Sequence, residues 1–325
     1  MPKPDYFDPK EALLAKIRER GGWVNAHSHI DRAYILNEKN FHLASAPLQQ
    51  KWALPDEFKA KASVDDIYAN MARAVEVMCA QGVQALGSFI DVDPVIKDKA
   101  IKAAQRVRDD FKDDIQIKFI NQVVKGVMEP EARHWFEVGA EFVDIIGGLP
   151  EKDEGHEAEH LDILFETAKK NGNKPLHVHI DQYGLPSQRH TELLVQKTLE
   201  HNYQNKVVAV HGISIAAQPA AYRQKLYKQM KEVGLMVITC PLAYISSRRS
   251  EELAPIHNSI APVEEMLAAG LIVAMGGDNI HDMYMPFADG DMWSEMRVLL
   301  EACYIRDLDA LADIATVNGL KALFL

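Results

Sequence analysis

The heptapeptide Trp-Val-Asn-Ala-His-Ser-His, residues 23–29, is an apolar run that ends in two histidines separated by one residue. In a β-strand, residues two apart face the same side, so His27 and His29 are expected to project together from one strand end. Two neutral imidazoles that converge from a rigid segment suit a borderline divalent cation such as Zn²⁺ or Fe²⁺. Two histidines that are simply hydrogen-bonded at a strand end are the alternative, and this stretch alone leaves both interpretations open.

Short apolar runs alternate with amphipathic stretches along the whole chain. Eight such runs cover residues 23–30, 83–92, 115–124, 142–149, 175–181, 206–213, 235–241 and 271–278. Continuous apolar strands separated by helices are typical of a parallel sheet that is covered by those helices. Eight units in 325 residues predict a (β/α)₈ TIM barrel. No Gly-x-Gly-x-x-Gly turn follows the first strand, which disfavours an open dinucleotide-binding sheet.

We expect one domain over residues 1–325, with residues 1–22 as a helical lead-in to the barrel. The connection over residues 36–63 is long for a loop between a strand and a helix. It contains Trp52, and it is either a lid that brings this side chain to a substrate or a surface excursion.

Composition indicates which binding partners and which cellular compartment we expect for this protein. The chain is 47% hydrophobic and 26% charged, as is typical of a globular protein, and its net charge of −11 argues against nucleic acid as a partner. No apolar run approaches the length of a bilayer span, and residues 1–20 lack the apolar core of a signal peptide. Three widely spaced cysteines form no disulfide or metal motif. We therefore expect a cytoplasmic protein with a small-molecule substrate and no membrane partner; assembly into a homo-oligomer is left open.

Residue types that bind metals recur where the predicted strands give way to loops. His179 ends the fifth run, His211 ends the sixth, and Asp278 ends the eighth. In α/β barrels the carboxyl ends of the strands form the active site. Together with His27 and His29, these residues predict a metal site at that end of the barrel.

This set of residues resembles the amidohydrolase superfamily, and more closely its cytosine-deaminase-like members. Residues 277–279, Gly-Asp-Asn, the following Tyr-Met-Pro at 284–286 and the closing stretch at 316–323 are also similar to that group. The resemblance spans essentially the whole barrel. It implies a metal-dependent hydrolase that acts on a C–N bond, other than a peptide bond, of a small polar cyclic substrate.

The same resemblance implies roles for individual residues. His27, His29, His179 and Asp278 would bind one divalent ion, Zn or Fe, and Asp278 would also serve as general base. His211 would bind or polarise the attacking water and the substrate. The substrate-binding residues would be Gln122, which reads an amide edge, together with Gln182, Asn279, Tyr284 and Trp52.

The chain also departs from that family. Gln182 stands where the deaminases carry a proton-shuttling glutamate, and an amide has no titratable proton to relay. We expect Asp181 to substitute as a catalytic residue. No lysine ends the fourth strand, which favours one metal ion over two, and Lys152 is a poor candidate for the missing bridge. We also expect the barrel to lack the flanking β-sandwich that is common in the family.

Two reactions fit these residues. Deamination of an aminated heterocycle is the family default, and Gln182 gives weight to the alternative, hydrolysis of an amide or lactam ring without ammonia release. A barrel that binds metal and ligand without turnover is a further alternative. On the fifth strand His177 also points to the interior face, so either it or His179 is the ligand; we expect His179, which is nearer the carboxyl end.

Overall fold

The computed structural model describes residues 7–246 and 260–325. Its strands are β1 Trp23–Ser28, β2 Val83–Asp91, β3 Gln116–Gln122, β4 Ile146–Gly148, β5 Leu176–Ile180, β6 Val207–His211, β7 Met236–Thr239 and β8 Val273–Met275. Neighbours from β1 to β3 and from β4 to β8 pair in parallel. Single parallel bridges, Ile120 to Ile145 and Ser28 to Asp278, join the two sheets. The strands therefore close into the predicted (β/α)₈ barrel; its organisation as a single domain stays a prediction.

Helices alternate with these strands. The α-helices are α1 Pro9–Glu19, α2 Leu48–Lys51, α3 Asp56–Lys61, α4 Val64–Ala80, α5 Lys99–Asp110, α6 Pro130–Phe142, α7 Glu157–Lys170, α8 His190–Glu200, α9 Ala220–Glu232, α10 Pro241–Ile245, α11 Val263–Ala268, α12 Met292–Ala302, α13 Leu308–Ala315 and α14 Val317–Ala322. Short 3₁₀ helices cover Ile30–Arg32, Phe41–Ser45, Pro150–Lys152 and Ile213–Ala217. Within the described ranges no helix is long and apolar enough to cross a membrane.

Helix α4 illustrates how local sequence determines where a helix begins, which of its faces is buried and where it ends. Ser63 accepts a hydrogen bond from the Asp66 backbone N–H, and the Asp66 carboxylate accepts one from the Ser63 N–H, which forms a capping box. Apolar residues then recur every three or four positions and are buried: Ile67, Met71, Ala74, Val75 and Met78. The helix gives way to β2 through Gly82, whose φ of +76° suits glycine.

The seam between β1 and β8 brings His27 and His29 next to Asp278. The His29 N–H donates to the Asp278 carbonyl at 3.1 Å, and the Asp278 N–H donates to the His27 carbonyl at 2.9 Å. Gly276 allows this approach, because a Cβ there would lie 2.5 Å from the Cβ of His27. The side chain of Asn25 accepts a hydrogen bond from the Gly277 N–H and strengthens the same seam.

The long connection over residues 36–63 lies against the carboxyl end of the barrel. In α3, Lys59 is almost fully buried, with its Nζ 3.1 Å from Asp91 Oδ2 and 2.5 Å from Asp93 Oδ2. Lys99 Nζ donates to the carbonyl of Lys59, and Trp52 is buried. The segment is therefore held against the carboxyl end of the barrel by buried contacts, and its role as a lid stays a prediction.

The N-terminal helix packs on the end of the chain. Lys16 in α1 and Arg20, the residue that follows this helix, form ion pairs with Asp309 and Asp313 of α13. Residues 1–6 of the predicted helical lead-in lie outside the described residues. The predicted fourth strand is shorter than expected, because Phe142 ends α6 instead of starting β4.

Candidate metal centre and active site

Four histidines and one aspartate meet at the carboxyl end of the barrel. His27, His29 and His179 have candidate ligand atoms within 4.8 Å of one another, and so do His27, His211 and Asp278. Asp278 Oδ1 lies 3.3 Å from His29 Nε2 and 3.5 Å from His27 Nε2, and the two Nε2 atoms of His29 and His179 are 3.4 Å apart. Four different strands therefore deliver one compact cluster.

The charge states in the cluster suit cation binding. Burial lowers the pKa of His29 to about 3 and that of His211 to about 4, and it lowers the pKa of His179 well below its usual range. Burial alone would raise the pKa of Asp278, but its close contacts with the imidazoles of His27 and His29 hold it well below its usual range. Neutral imidazoles and an ionised carboxylate are the ligating forms of these residues.

The spacing of the cluster fits a divalent ion. Ligand atoms held tetrahedrally at about 2.1 Å from an ion lie about 3.4 Å apart, which matches the distances between these side chains. Both ring nitrogens of His27 are buried without a hydrogen-bond partner, as are the Nδ1 atoms of His29, His179 and His211. Buried polar atoms without partners are uncommon, and an ion bound among the converging Nε2 atoms would give the Nε2 of His27 a partner.

Two of these residues are held in unusual backbone conformations. His211 has φ of +79° and Asp278 has φ of +57°, in the left-handed region that residues other than glycine rarely adopt. The Tyr244 hydroxyl donates to the carbonyl of His211 at 2.8 Å and fixes the first of these turns. Such conformations cluster at functional sites, where the surrounding structure compensates for the strain.

A cavity of about 500 Å³ opens above the cluster. Its lining includes His29, His179, His211 and Asp278, together with all five predicted substrate-binding residues: Trp52, Gln122, Gln182, Asn279 and Tyr284. The Oε1 of Gln122 accepts a hydrogen bond from the Val123 N–H, and the Nδ2 of Asn279 donates to Asp282 Oδ2 at 2.6 Å. The cavity has the size of a site for a small molecule.

Residues 22–325 match the Amidohydrolase family. The chain belongs to the amidohydrolase family. Its members are metal-dependent hydrolases of C–N bonds, which confirms the predicted enzyme class and is consistent with the cluster of candidate ligands.

The proteins that are similar to this amidohydrolase align with most of its chain. An uncharacterized protein of Haemophilus influenzae is 48% identical over 79% of the chain and 95% of its own length. The N-isopropylammelide isopropyl amidohydrolase of a Pseudomonas species is 26% identical over 98% of the chain and 77% of its own length. The crystal structure of 5-methylcytosine deaminase from Klebsiella pneumoniae, liganded with 5-fluorocytosine, superposes with a TM-score of 0.85 at 22% identity, and covers 93% of this chain and 74% of that one.

His177 lies away from the cluster of this amidohydrolase. Its Nε2 donates to the carbonyl of Ala322 in α14 at 2.8 Å, so the ring is anchored to the helix that packs beside the strands. His179, two residues nearer the carboxyl end of β5, has its Nε2 beside that of His29. This arrangement agrees with the expectation that His179 is the candidate ligand on this strand.

Asp181 is not brought to the site, contrary to our expectation of a catalytic carboxylate there. Its oxygens accept hydrogen bonds from the backbone N–H groups of His190 and Thr191 and from the Thr191 hydroxyl, at 2.8, 3.0 and 2.5 Å. The carboxylate thus caps the start of α8, and φ of +57° at Asp181 turns the chain toward that helix. It does not line the cavity.

The cavity also contains residues that the sequence patterns did not reveal. Arg32 lines it from the 3₁₀ turn that follows β1, and Lys51 and Tyr183 line it from neighbouring segments. The sequence feature that could have pointed to Arg32 as a cavity residue was its position, three residues after His29. Lys152 lies outside the cluster, with its Nζ 4.9 Å from the centre of the Trp52 ring, so it bridges no second ion there.

Proposed function

We propose that this amidohydrolase hydrolyses the bond between a ring carbon and an exocyclic nitrogen in a small heterocycle. The observation that carries the proposal is the cluster of four imidazoles and one carboxylate beneath a cavity of small-molecule size. The similarity to an N-isopropylammelide isopropyl amidohydrolase supports hydrolysis of a C–N bond.

One divalent ion, Zn or Fe, would be held by His27, His29, His179 and Asp278. When bound, such an ion supplies one kind of chemistry here: it lowers the pKa of a water molecule, so that a nucleophile is available near neutral pH.

The protein's own residues carry the proton transfers. The Asp278 carboxylate accepts a proton from the water as its oxygen bonds to the ring carbon. His211, neutral at pH 7 and with its candidate ligand atom within 4.8 Å of that of Asp278, donates a hydrogen bond to the attacking oxygen, while the electron pair of the opened C=N bond moves to the adjacent ring nitrogen. Asp278 then returns its proton to the exocyclic nitrogen as the C–N bond breaks. The second proton of the water moves to the adjacent ring nitrogen, so that the ring carbon keeps the oxygen as an oxo group.

Hydrolysis of an amide or lactam ring is the second candidate, and Gln182 favours it. With Asp181 committed to α8, Asp278 remains as the carboxylate lining the cavity that can protonate a leaving nitrogen. Ring opening could use the same direct proton transfer from Asp278 to the leaving nitrogen equally well. A barrel that only binds metal and ligand has no need of a base beside the metal ligands, so Asp278 and His211 count against that alternative.

Product analysis separates these reactions. Metal-replete protein should release ammonia or an alkylamine from at least one member of a panel of amino-substituted pyrimidines, triazines and pterins, with the ring intact by mass spectrometry. Asp278→Asn should abolish this release. Ring-opened products without free amine would favour the second candidate, and absence of turnover on amines, amides and lactams alike would contradict the enzymatic proposal.

The remaining expectations from the sequence concern the metal, the cellular location, the oligomeric state and the type of substrate. The identity of the metal, a cytoplasmic location and assembly into a homo-oligomer stay predictions. A small-molecule substrate fits the size of the cavity.

A further inference from the structure

Gln188 is a buried polar residue that connects three loops at the carboxyl end of the barrel. It lies two residues before α8, is 5% exposed and does not line the cavity. Its Nε2 donates to Glu151 Oε1 at 3.0 Å, in the loop after β4, and its Oε1 accepts the Ser214 hydroxyl at 2.6 Å, in the loop after β6. The same Oε1 accepts the backbone N–H of Tyr183 at 2.9 Å, in the loop after β5. One amide group therefore joins the loops that follow three neighbouring strands.

These hydrogen bonds hold a segment that forms part of the cavity wall. Gln182, Tyr183 and Leu185 line the cavity, and residues 181–189 belong to no helix or strand. The Ser214 hydroxyl oxygen accepts the backbone N–H groups of Gly184 at 3.0 Å and Leu185 at 3.3 Å. Together with the N–H of Tyr183, three consecutive backbone donors are thus bound by side chains. Because no regular element satisfies these donors, the side-chain hydrogen bonds determine the conformation of the segment.

The partners of Gln188 determine which end of its amide group faces which loop. A backbone N–H can only donate, so the oxygen of Gln188 faces Tyr183 and Ser214, and its NH₂ group faces Glu151. This NH₂ group can donate to a carboxyl group in either protonation state. A glutamate at position 188 would keep the acceptor for Tyr183 and Ser214, but when ionised it would have no donor for Glu151. This replacement therefore changes one of the three connections.

Glu151 lies among other ionisable groups. Burial raises the pKa of its carboxyl group, His190 in α8 lowers it, and the Asp181 carboxylate after β5 raises it. His190 Nδ1 lies 3.9 Å from Glu151 Oε1, and its Nε2 lies 3.9 Å from Glu157 Oε1 in α7. Burial and the charge of Glu151 raise the pKa of Tyr183, so its phenol stays neutral. A second carboxylate beside Glu151 would therefore be tolerated only while the two groups share a proton.

We propose that Gln188 is a positioning residue that holds the segment from Gln182 to Leu185 in its cavity-lining conformation through the hydrogen bond to Glu151. The effect of this role on a substrate rests on the proposed function. None of the candidate metal ligands belongs to this segment. Loss of the connection should therefore weaken the binding of a substrate in the cavity, while the metal site and the step that breaks the C–N bond are retained.

Gln188→Glu tests the role, because the two side chains have the same size and differ in the donor to Glu151. At about pH 5 the two carboxyl groups should share a proton and keep the connection, whereas at about pH 9 both should be ionised and repel each other. Hydrogen exchange of metal-loaded protein, corrected for the intrinsic exchange rate at each pH, measures protection of the amides of Tyr183, Gly184 and Leu185. Protection in the variant should equal that of wild type at the lower pH and be at least about tenfold weaker at the higher pH. Wild type should show the same protection at both.

A double variant and a matched control accompany this measurement. Glu151→Gln with Gln188→Glu exchanges the two groups, so that one amide again donates to one carboxylate, and protection at the higher pH should return. Gln196→Glu is the control: Gln196 donates to Glu200 at 2.7 Å on the exposed side of α8, so the same two residue types are paired away from the cavity. It should leave the exchange of the cavity-lining segment unchanged at either pH.

Kinetics measure the effect on a substrate from the panel of heterocycles. At about pH 9, Gln188→Glu should raise KM by about tenfold relative to wild type and change kcat far less, as expected when ground-state and transition-state binding are weakened equally. The double variant should restore KM. The metal content of each variant, measured by elemental analysis, should equal that of wild type.

Several results would overturn the inference. They are a Gln188→Glu variant with wild-type protection at the higher pH, a variant whose protection is equally weak at both pH values, and a double variant that does not regain protection. A loss of kcat with unchanged KM would also contradict it. Exchange is measured without substrate, so a protein that shows the expected protection pattern but hydrolyses no member of the panel would keep the positioning role of Gln188 and refute the proposed reaction instead.

Discussion

Replacement of Lys59 by methionine should strongly destabilise this amidohydrolase. The Lys59 side chain is 1% exposed, and its Nζ lies 3.1 Å from Asp91 and 2.5 Å from Asp93, which are themselves buried. Lys59→Met keeps the side-chain volume but removes the cation shared by these two buried carboxylates, and Asp91 then keeps Arg32 as its cation. Breaking a buried ion pair in this way typically costs about 3–5 kcal/mol of unfolding free energy.

Calorimetry measures this loss of unfolding free energy as a decrease in the melting temperature, Tm. An unfolding entropy of about 2.1 cal/mol/K per residue is about 0.7 kcal/mol/K for 325 residues, so Tm should fall by about 4–7 °C. The matched control lies on the same helix, because Lys61 pairs with Glu57 at 2.6 Å and both side chains are at least 75% exposed. Lys61→Met should change Tm by no more than about 1 °C.

The pH dependence provides a second check on the same variant. Burial would raise the pKa of Asp91, but the charges of Lys59 and Arg32 lower it to about 2. An aspartate whose pKa is lower in the folded state stabilises the protein above its unfolded value of about 3.9, and this contribution is lost as the pH falls toward 2. The difference in Tm between wild type and Lys59→Met should therefore shrink between pH 7 and pH 3. A variant within 1 °C of wild type at pH 7, or a difference that does not change with pH, would refute the reasoning.

Three further predictions concern the site. His29→Ala should lose the metal, measured as close to one Zn or Fe per chain in wild type by elemental analysis, together with the stability that metal binding adds; full activity after exhaustive chelation would contradict this. His177→Asn should keep the metal with lowered activity, whereas His179→Asn should lose it, and the reverse pattern would exchange their roles. Gln182→Glu should lower kcat/KM on the native substrate, since it replaces a donor by an acceptor, although it can confer weak deamination of cytosine-like rings; a general rise in kcat/KM would show that a missing proton shuttle had limited the wild type.

Periodicity was sufficient to predict the barrel, because strand and helix periods are properties of local sequence. All eight predicted strands are present, and the two capping residues of α4 are only three positions apart in the chain. The boundary near Phe142 was wrong, since an apolar residue at the end of a buried helix has the same local pattern as the start of a strand. Barrel geometry then implied that residues at strand ends converge, which brought His27, His29, His179, His211 and Asp278 into one hypothesis.

The sequence by itself therefore determined the architecture, the residue types of the candidate metal site and the absence of a carboxylate at Gln182. Which way each side chain points was decided by tertiary contacts alone. Asp181 has the chemistry of a proton shuttle but caps α8, because the start of that helix supplies three donors to its oxygens. Arg32 carries no motif, yet Asp91, Asp282 and Tyr284, distant in sequence, hold it in the cavity wall. Orientation depends on partners brought together by folding, and local sequence contains no record of those distances.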